Sequence, residues 1–455
     1  MSAPITSLKA KTSVKSIILL TLPISMAKLI PELNYLINAA FLGHIGSKEL
    51  ALAGITGVYY LIFSAIGYGL NNALLSIMSR RAGEDHRNEI FSTLWHGLIL
   101  GVGLAILFVG TTWIWVHPLM IFAGVEEGGA AMAGDFLNIR ITGLIFLYCL
   151  QMQNAFLISL GQTRFLIIIA IIQSGINLIL DYSLIFGHFG LPELGFNGAA
   201  YASVISELIG MLTVMVIIWM MDIRKKYDIV PTFNVTLRTI RLVFTQGFPL
   251  MSQLAISTGA WWVFFILVSR NYTYEEQAIS QTMRNLFGLG GVFSWAFGSS
   301  ANTILSNLIG QGRQEEIFAI IRKMTLLSVG GMSILVILLN IFPEIFLGVF
   351  GQKGDFVAAG TYTLRIVSAA MIILCVGVIW LNAVVATGKT KVVFWIEFWG
   401  ITAYLVYVWV VIEILQLSLE IAWMSEWIYW VVLYLLSYLY LKYGKWRHGL
   451  MYDAS

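Results

Sequence analysis

Residues 175–187 read GINLILDYSLIFG, an apolar run with a single carboxylate, Asp181, near its middle. An ionised side chain at bilayer depth costs roughly 2.5 to 3.5 kcal/mol on insertion scales. Either this run lies outside a membrane, or Asp181 has a task that offsets the cost. The 455-residue chain is 58% hydrophobic and only 11% charged, with a mean hydropathy of +0.83, where a soluble chain carries about 25% charged residues. That composition identifies an integral membrane protein, and no polar stretch is long enough for a separate soluble domain. The two cysteines, Cys149 and Cys375, sit in apolar segments and the six histidines are scattered, which points to core thiols rather than a disulfide or zinc site.

About twenty apolar residues cross a bilayer core of ~30 Å, and twelve stretches qualify: 17–40, 50–77, 91–115, 136–158, 165–187, 197–221, 242–269, 279–309, 318–342, 361–385, 392–416 and 423–442. The first follows Lys9, Lys11 and Lys15, yet its apolar run is too long for a signal peptide and reads as a retained helix. With the N-terminus inside, the inner segments hold twenty Lys and Arg, from Lys9 to Arg447, and the outer loops only Lys48, Arg270 and Lys353. Cytoplasmic loops are enriched in basic residues, so both termini are expected in the cytoplasm and the protein in a cell (plasma or inner) membrane.

The chain also repeats itself. Gly161-Gln162-Thr163-Arg164 after span four returns as Gly388-Lys389-Thr390-Lys391 after span ten, and Leu22-Pro23 returns as Phe248-Pro249. GEDHRNEI (83–90) matches GQGRQEEI (310–317), and Arg140-Ile141 matches Arg365-Ile366, every offset lying between 225 and 227 residues. The expected fold is therefore an all-α membrane protein of twelve transmembrane helices, in two six-helix lobes related by a pseudo-two-fold axis along the membrane normal. Residues 1–221 form the N-terminal lobe, 222–241 a cytoplasmic linker, and 242–455 the C-terminal lobe with a cytoplasmic tail. Such duplication suits a transporter and serves no purpose in an enzyme.

Ionisable groups inside spans are the default functional candidates. The first lobe has Lys28, Glu32, Arg140, Asp181 and Glu207. Lys28 and Glu32 are four apart and can form a structural ion pair. Asn177 and Asp181 share a face of span five, and Ser203 lies one turn before Glu207 on span six. Asp181, Glu32 and Glu207 differ in depth by roughly 6 Å or less and can line one chamber suited to Na⁺ or to a proton. In the second lobe Arg284, Arg365 and Glu397 are spread apart, and Glu397 is near enough to the inner end to reach water. Asn154, Trp261, Trp262 and Arg284 are candidates for a substrate cleft, with aromatic faces suited to flat organic cations.

The motifs LPISMAKLIPELNYLINAAFLGHIG (22–46), GEDHRNEI, NAFLISLGQTR (154–164), INLILDYSLIF (176–186) with GFNGAAYASVIS (195–206), QGFP (246–249) and GQGRQEEI resemble the multidrug and toxic compound extrusion (MATE) family over nearly the whole chain. The resemblance implies an antiporter that expels organic, often cationic, amphipathic compounds in exchange for Na⁺ or H⁺. No cofactor is implied beyond that transported ion, and the partners are small molecules and the lipid bilayer, with no nucleic acid and a monomeric carrier. Its first-lobe cation site implies roles for Asn177, Asp181 and Ser203, with Na⁺ at Asp181 and Asn177. Where the family places an Asp in span one, this chain has Asn38, which leaves Glu32 or Glu207 as the substitute. Where some members carry acids in spans seven and ten, it has Ser257 and LCVGVIW (374–380). The alternative is a flippase for a lipid-linked precursor on the same two-lobe plan, although only four cations stand within the spans. A membrane enzyme has little behind it but the glycine cluster at 288–291, which helix packing explains.

Overall fold

The computed structural model describes residues 6–122, 125–348 and 355–447. Lys353, counted above among the outer cations, and the tail from residue 448 lie outside the described residues. A bilayer offers the backbone no water, so a spanning segment satisfies its N–H and C=O groups internally and folds as a helix. Among the described residues there is no strand, and the helices are α1 (Val14–Ile45), α2 (Ser47–Gly83), α3 (Arg87–Phe122), α4 (Glu127–Arg140), α5 (Gly143–Ser159), α6 (Arg164–Phe186), α7 (Phe196–Met220), α8 (Ile223–Tyr227), α9 (Leu237–Asn271), α10 (Tyr274–Gly310), α11 (Ile317–Ile341), α12 (Pro343–Gly348), α13 (Asp355–Ala386), α14 (Thr390–Trp409), α15 (Leu419–Trp423) and α16 (Ser425–Tyr443).

Ten of the described helical stretches are long and apolar enough to cross a membrane, and α4 with α5 adds an eleventh as a bent pair. The twelfth is α10, whose 37 residues suffice in length. Its run of Gly, Ser, Thr and Asn lowers its hydropathy, and that stretch is buried in protein from Ser299 to Asn307 without a break. Span four departs from expectation. Instead of one helix over 136–158, the chain enters at Glu127 and turns by 41° between Arg140 and Gly143. The Thr142 hydroxyl donates to the Ile139 carbonyl at 2.7 Å and its amide also turns back three residues to Ile139, which loosens the α-helical ladder at that point.

The chain forms two compact units. The first holds Leu22–Met251 with residues 6–9, and the second Ala10–Thr21 with residues 252–447. The chain thus passes between units beside Pro23 and Pro249, the prolines inside α1 and α9. The opening of α1 is fixed within the second unit by the Ala10 amide on Asn307 Oδ1 (2.8 Å), Thr21 on Ser300 (2.8 Å) and Lys323 on the Thr12 carbonyl (3.0 Å). Segment 222–241 is folded against the first unit. Arg87 donates to the Tyr227 carbonyl at 2.7 Å, and Asn88 and His96 accept from the amides of Val230 and Thr236 at 3.0 and 2.8 Å.

The repeated motifs are repeated turns. Gly161 and Gly388 both adopt left-handed backbone, φ 70° and 76°, which a side chain would strain. Asp85 and Gly312, 227 residues apart, share it at 62° and 75°. Each of the latter turns carries an Arg–acid pair, Arg87 with Asp85 and Arg313 with Glu316, and the hydrogen-bonded Arg313 guanidinium holds Glu316 below the usual carboxylate range. Gly161→Val and Gly388→Val should each cost about 1–2 kcal/mol and lower the thermal midpoint followed by tryptophan fluorescence in detergent. Gly110→Ala, helical with nothing within 4 Å of the added carbon, should not. Equal losses in all three would contradict the shared turn geometry.

Candidate functional site

In the first unit α1 and α6 run side by side. Asn34 Nδ2 donates to Asn177 Oδ1, and farther along both helices Phe41 meets Tyr182 and Phe186 at ring distances of 6.3 and 6.0 Å. Asn38 and Asp181 lie between those contacts, each one turn beyond the bonded asparagines. Asp181 is 1% exposed and neither carboxylate oxygen has a hydrogen-bond partner. Asn177 Nδ2 and Asn38 Oδ1 are likewise buried and unpartnered. Unpaired polar groups in an interior are rare and costly, and here four such atoms lie on two facing helices. Their chemistry, a carboxylate beside the free amide oxygen of Asn38, suits a hard monovalent cation or a proton. Asn34 was not singled out from the sequence, although its spacing of four from Asn38 put both on one face. Asn197, which opens α7 with a buried unpartnered Oδ1, was also missed.

Glu207 is placed differently. It is 5% exposed and holds Arg140 by two parallel bonds, Nη1 to Oε2 at 2.9 Å and Nη2 to Oε1 at 2.7 Å. The Tyr60 hydroxyl donates to Oε1 at 2.9 Å, and the guanidinium stacks 3.5 Å over the Tyr60 ring. A Cβ at position 143 would collide with the Glu207 carboxylate, so Gly143 opens the space that the pair fills. Ser203, one turn earlier, is half-buried and its carbonyl accepts from Ser206 at 2.8 Å. Glu32 is exposed, and no described ion pair joins it to Lys28, whose ammonium instead donates to the Tyr68 hydroxyl at 2.6 Å.

Of the cleft candidates, Asn154 on α5 is half-buried with an unpartnered Oδ1. Trp262 is 58% exposed and Arg284 stands 5.5 Å over the Phe265 ring. Trp261 donates to Glu426 Oε1 at 2.9 Å. That bond corrects the expectation that the second lobe holds no cluster. Glu426, at the start of α16, is 2% exposed and takes a second indole N–H from Trp430 at 3.1 Å. Glu397, expected to reach water, is 1% exposed, bonded to the Tyr429 hydroxyl and to Gln253 Nε2 at 3.2 Å. The packing of α14 on α16 and the partners from α9 close over it.

Glu207→Gln should destabilise the protein by about 3–5 kcal/mol, since it strands the Arg140 charge. Replacing both residues with methionine should recover most of that loss. Chemical denaturation in detergent checks both, and a single variant as stable as the parent would remove the pair from any structural role.

The family model MatE matches residues 23–183 and 249–410, beginning in each half at the repeated proline. A probable multidrug resistance protein NorM of Thermotoga maritima is 24% identical over 441 residues, 95% of this chain and 93% of that protein. A multidrug resistance protein NorM of Burkholderia vietnamiensis is 27% identical over 46% of this chain and 44% of its own length. Among solved structures, an outward-facing multidrug resistance MATE family transporter of the MOP superfamily aligns with TM-score 0.88 at 16% identity, over 97% of this chain and 100% of that one. A MOP superfamily transporter from Pyrococcus furiosus, described as having a binding pocket of reversed polarity, aligns with TM-score 0.87 over the same shares, also at 16% identity. At such identity the likeness shows the fold, twelve transmembrane helices in two lobes. Matched in both halves by one family model, the chain belongs to the MatE family of multidrug transporters, membrane carriers rather than enzymes.

Proposed function

We propose that the protein is a cation-coupled antiporter, driven by Na⁺ or H⁺, that exports organic cationic amphipathic compounds by alternating access of its two lobes. It works as a monomer in the plasma or inner membrane with both termini cytoplasmic, the orientation favoured by the placement of its basic residues. The observation that carries the reading is Asp181: buried, at bilayer depth, with both oxygens unpartnered and amide groups one turn away. A carboxylate in that setting is stable only while a cation accompanies it. Asn34, Asn38 and Asn177 add groups that can ligate Na⁺ but carry no proton. Glu207, engaged by Arg140, is a poor substitute for the missing span-one acid, and Asp181 takes the coupling role.

The names of the NorM relatives support drug export. Fold alone does not fix the cargo: the reversed-polarity binding pocket of the P. furiosus transporter suggests a different function for that protein. The flippase alternative needs free cations to hold a diphosphate. Here Arg140 is committed to Glu207, which leaves fewer free cations within the spans and weakens it.

Asp181→Asn should abolish ion-driven efflux while leaving a folded protein in the membrane. The measurement is accumulation of a fluorescent aromatic cation in proteoliposomes under an imposed Na⁺ gradient and, separately, a pH gradient. Undiminished accumulation by the variant under both gradients would defeat the coupling assignment.

A further inference from the structure

In the first unit, a group of cations and a phenol where segment 222–241 meets the α5–α6 turn takes no part in the site around Asp181. The Thr6 amide donates to the Lys226 carbonyl at 2.9 Å and Arg87 to the Tyr227 carbonyl at 2.7 Å, which fixes the main chain of both residues. Tyr227 is fully buried, and its hydroxyl has no hydrogen-bond partner of normal geometry, although Gln162 stands beside it. An unpartnered buried hydroxyl is costly. Burial pushes the phenol up to about 12, so it keeps its proton and can donate it in a hydrogen bond. The Lys226 ammonium lies 5.2 Å from the centre of the Tyr227 ring. Burial first, and then the charge of Arg164, hold that ammonium below the usual lysine range.

Arg164 opens α6, which has no acid in its first turn. A cation at a helix N-terminus opposes the helix dipole, and here a lysine adds its own repulsion. Among the described residues no acid forms an ion pair with Arg164 or Lys226. Asp222 is taken by Lys225 at 3.0 Å, Asp85 by Arg87 and Glu89 by Arg81, while Asp228 is exposed. Two cations, the positive end of a helix and a free phenol therefore meet, each cation within electrostatic range of the other and of the phenol. An anion with several acceptor oxygens satisfies them all, as a phosphate does. Trp219 and Met220, which end α7 just before the segment, are 82% and 72% exposed. Tryptophan at the end of a span favours the headgroup level, which sets the cluster at the depth of lipid phosphates.

We propose that Arg164, Lys226 and Tyr227 form a site for the phosphate of an anionic lipid, in the leaflet that faces segment 222–241. The guanidinium and the ammonium balance its charge, and the phenol donates to a phosphate oxygen. A bound headgroup fastens the segment to the α5–α6 turn. The site does not depend on the coupling role assigned to Asp181.

The test is lipid binding by the full-length protein in a neutral detergent, read by native mass spectrometry and by the thermal midpoint of tryptophan fluorescence. The probes are phosphatidylglycerol, phosphatidylcholine and inorganic phosphate. Phosphatidylglycerol should bind saturably and raise the midpoint, and phosphatidylcholine should do neither. A midpoint raised by inorganic phosphate but not by phosphatidylglycerol overturns the lipid as occupant. Each cation is worth about fivefold in affinity for an anionic lipid, so Arg164→Gln/Lys226→Gln should weaken phosphatidylglycerol binding roughly thirtyfold. Arg224→Gln/Lys225→Gln removes the same charge from the same segment and should leave most of the binding. Equal losses in the two double variants, or none in the first, overturn the site. Tyr227→Phe decides the matter should the first double variant fail to fold. It removes only a buried hydroxyl without a partner, so the lipid-free protein should melt no lower than the parent, while affinity for phosphatidylglycerol falls about tenfold. Parental affinity in Tyr227→Phe overturns the proposal.

Discussion

A carboxylate inside a bilayer needs a companion charge or must give up its own. The interior of this protein is arranged around that constraint. Glu207 meets it with Arg140, and the local fold serves the pair: the chain bends between α4 and α5, Gly143 leaves space for the carboxylate, and Tyr60 both bonds the acid and carries the guanidinium on its ring. Asp181 has no ion-pair contact among the described residues, although the charge of Arg140 reaches it across the unit. Glu397 and Glu426 lie between these cases, bonded on every oxygen yet never neutralised. The same physics makes the first a structural tie, while the others are buried without an ion-pair partner among the described residues.

Much of the architecture was legible in the sequence because it follows from one-dimensional patterns. Apolar runs of bilayer length gave helices that match within a few residues in most cases, such as 165–187 against Arg164–Phe186 and 318–342 against Ile317–Ile341. The glycine turns were legible because left-handed backbone leaves its mark on composition. The bend in span four was not, since Arg140-Ile141-Thr142 carries no proline, and a threonine hydroxyl turned back onto its own helix leaves no mark in the sequence. Tertiary polar contacts leave no period. Lys28 and Glu32 have the spacing of a helical ion pair, and nothing in that spacing announces the Tyr68 hydroxyl on another helix that accepts from the ammonium. Glu426 escaped notice because an acid near the start of a span reads as an interfacial residue, and only the packing of Trp261 and Trp430 shows it to be buried.

The duplicated halves kept their turns and exchanged their polar interiors. Gly161 and Gly388 repeat faithfully, as do the prolines at which the chain passes between units. At an offset of 226 or 227 residues Asn34, by contrast, falls on Ala260 or Trp261, and Asn177 on Ala403 or Tyr404. Turns are constrained by backbone sterics that tolerate few residues. A buried polar cluster can be rebuilt from any helix that reaches the space, provided its hydrogen bonds remain satisfied. Duplication therefore preserves the scaffold more strictly than the chemistry it carries.

The asparagine at position 38 gives that divergence a physical consequence. Under the antiport reading, a first-unit site with one carboxylate and several amides would carry a single negative charge when empty and none when a monovalent cation is bound. The neutral, occupied state can be buried at little cost, while the empty state favours access to water. A site with two acids would still bear a net charge after binding one cation and would favour water in both states. Under the antiport reading, replacing an acid by an amide thus sharpens the dependence of conformation on occupancy. An ion shifts an equilibrium only as far as its affinity differs between the two states, and here that difference is set by whether the carboxylate is left alone.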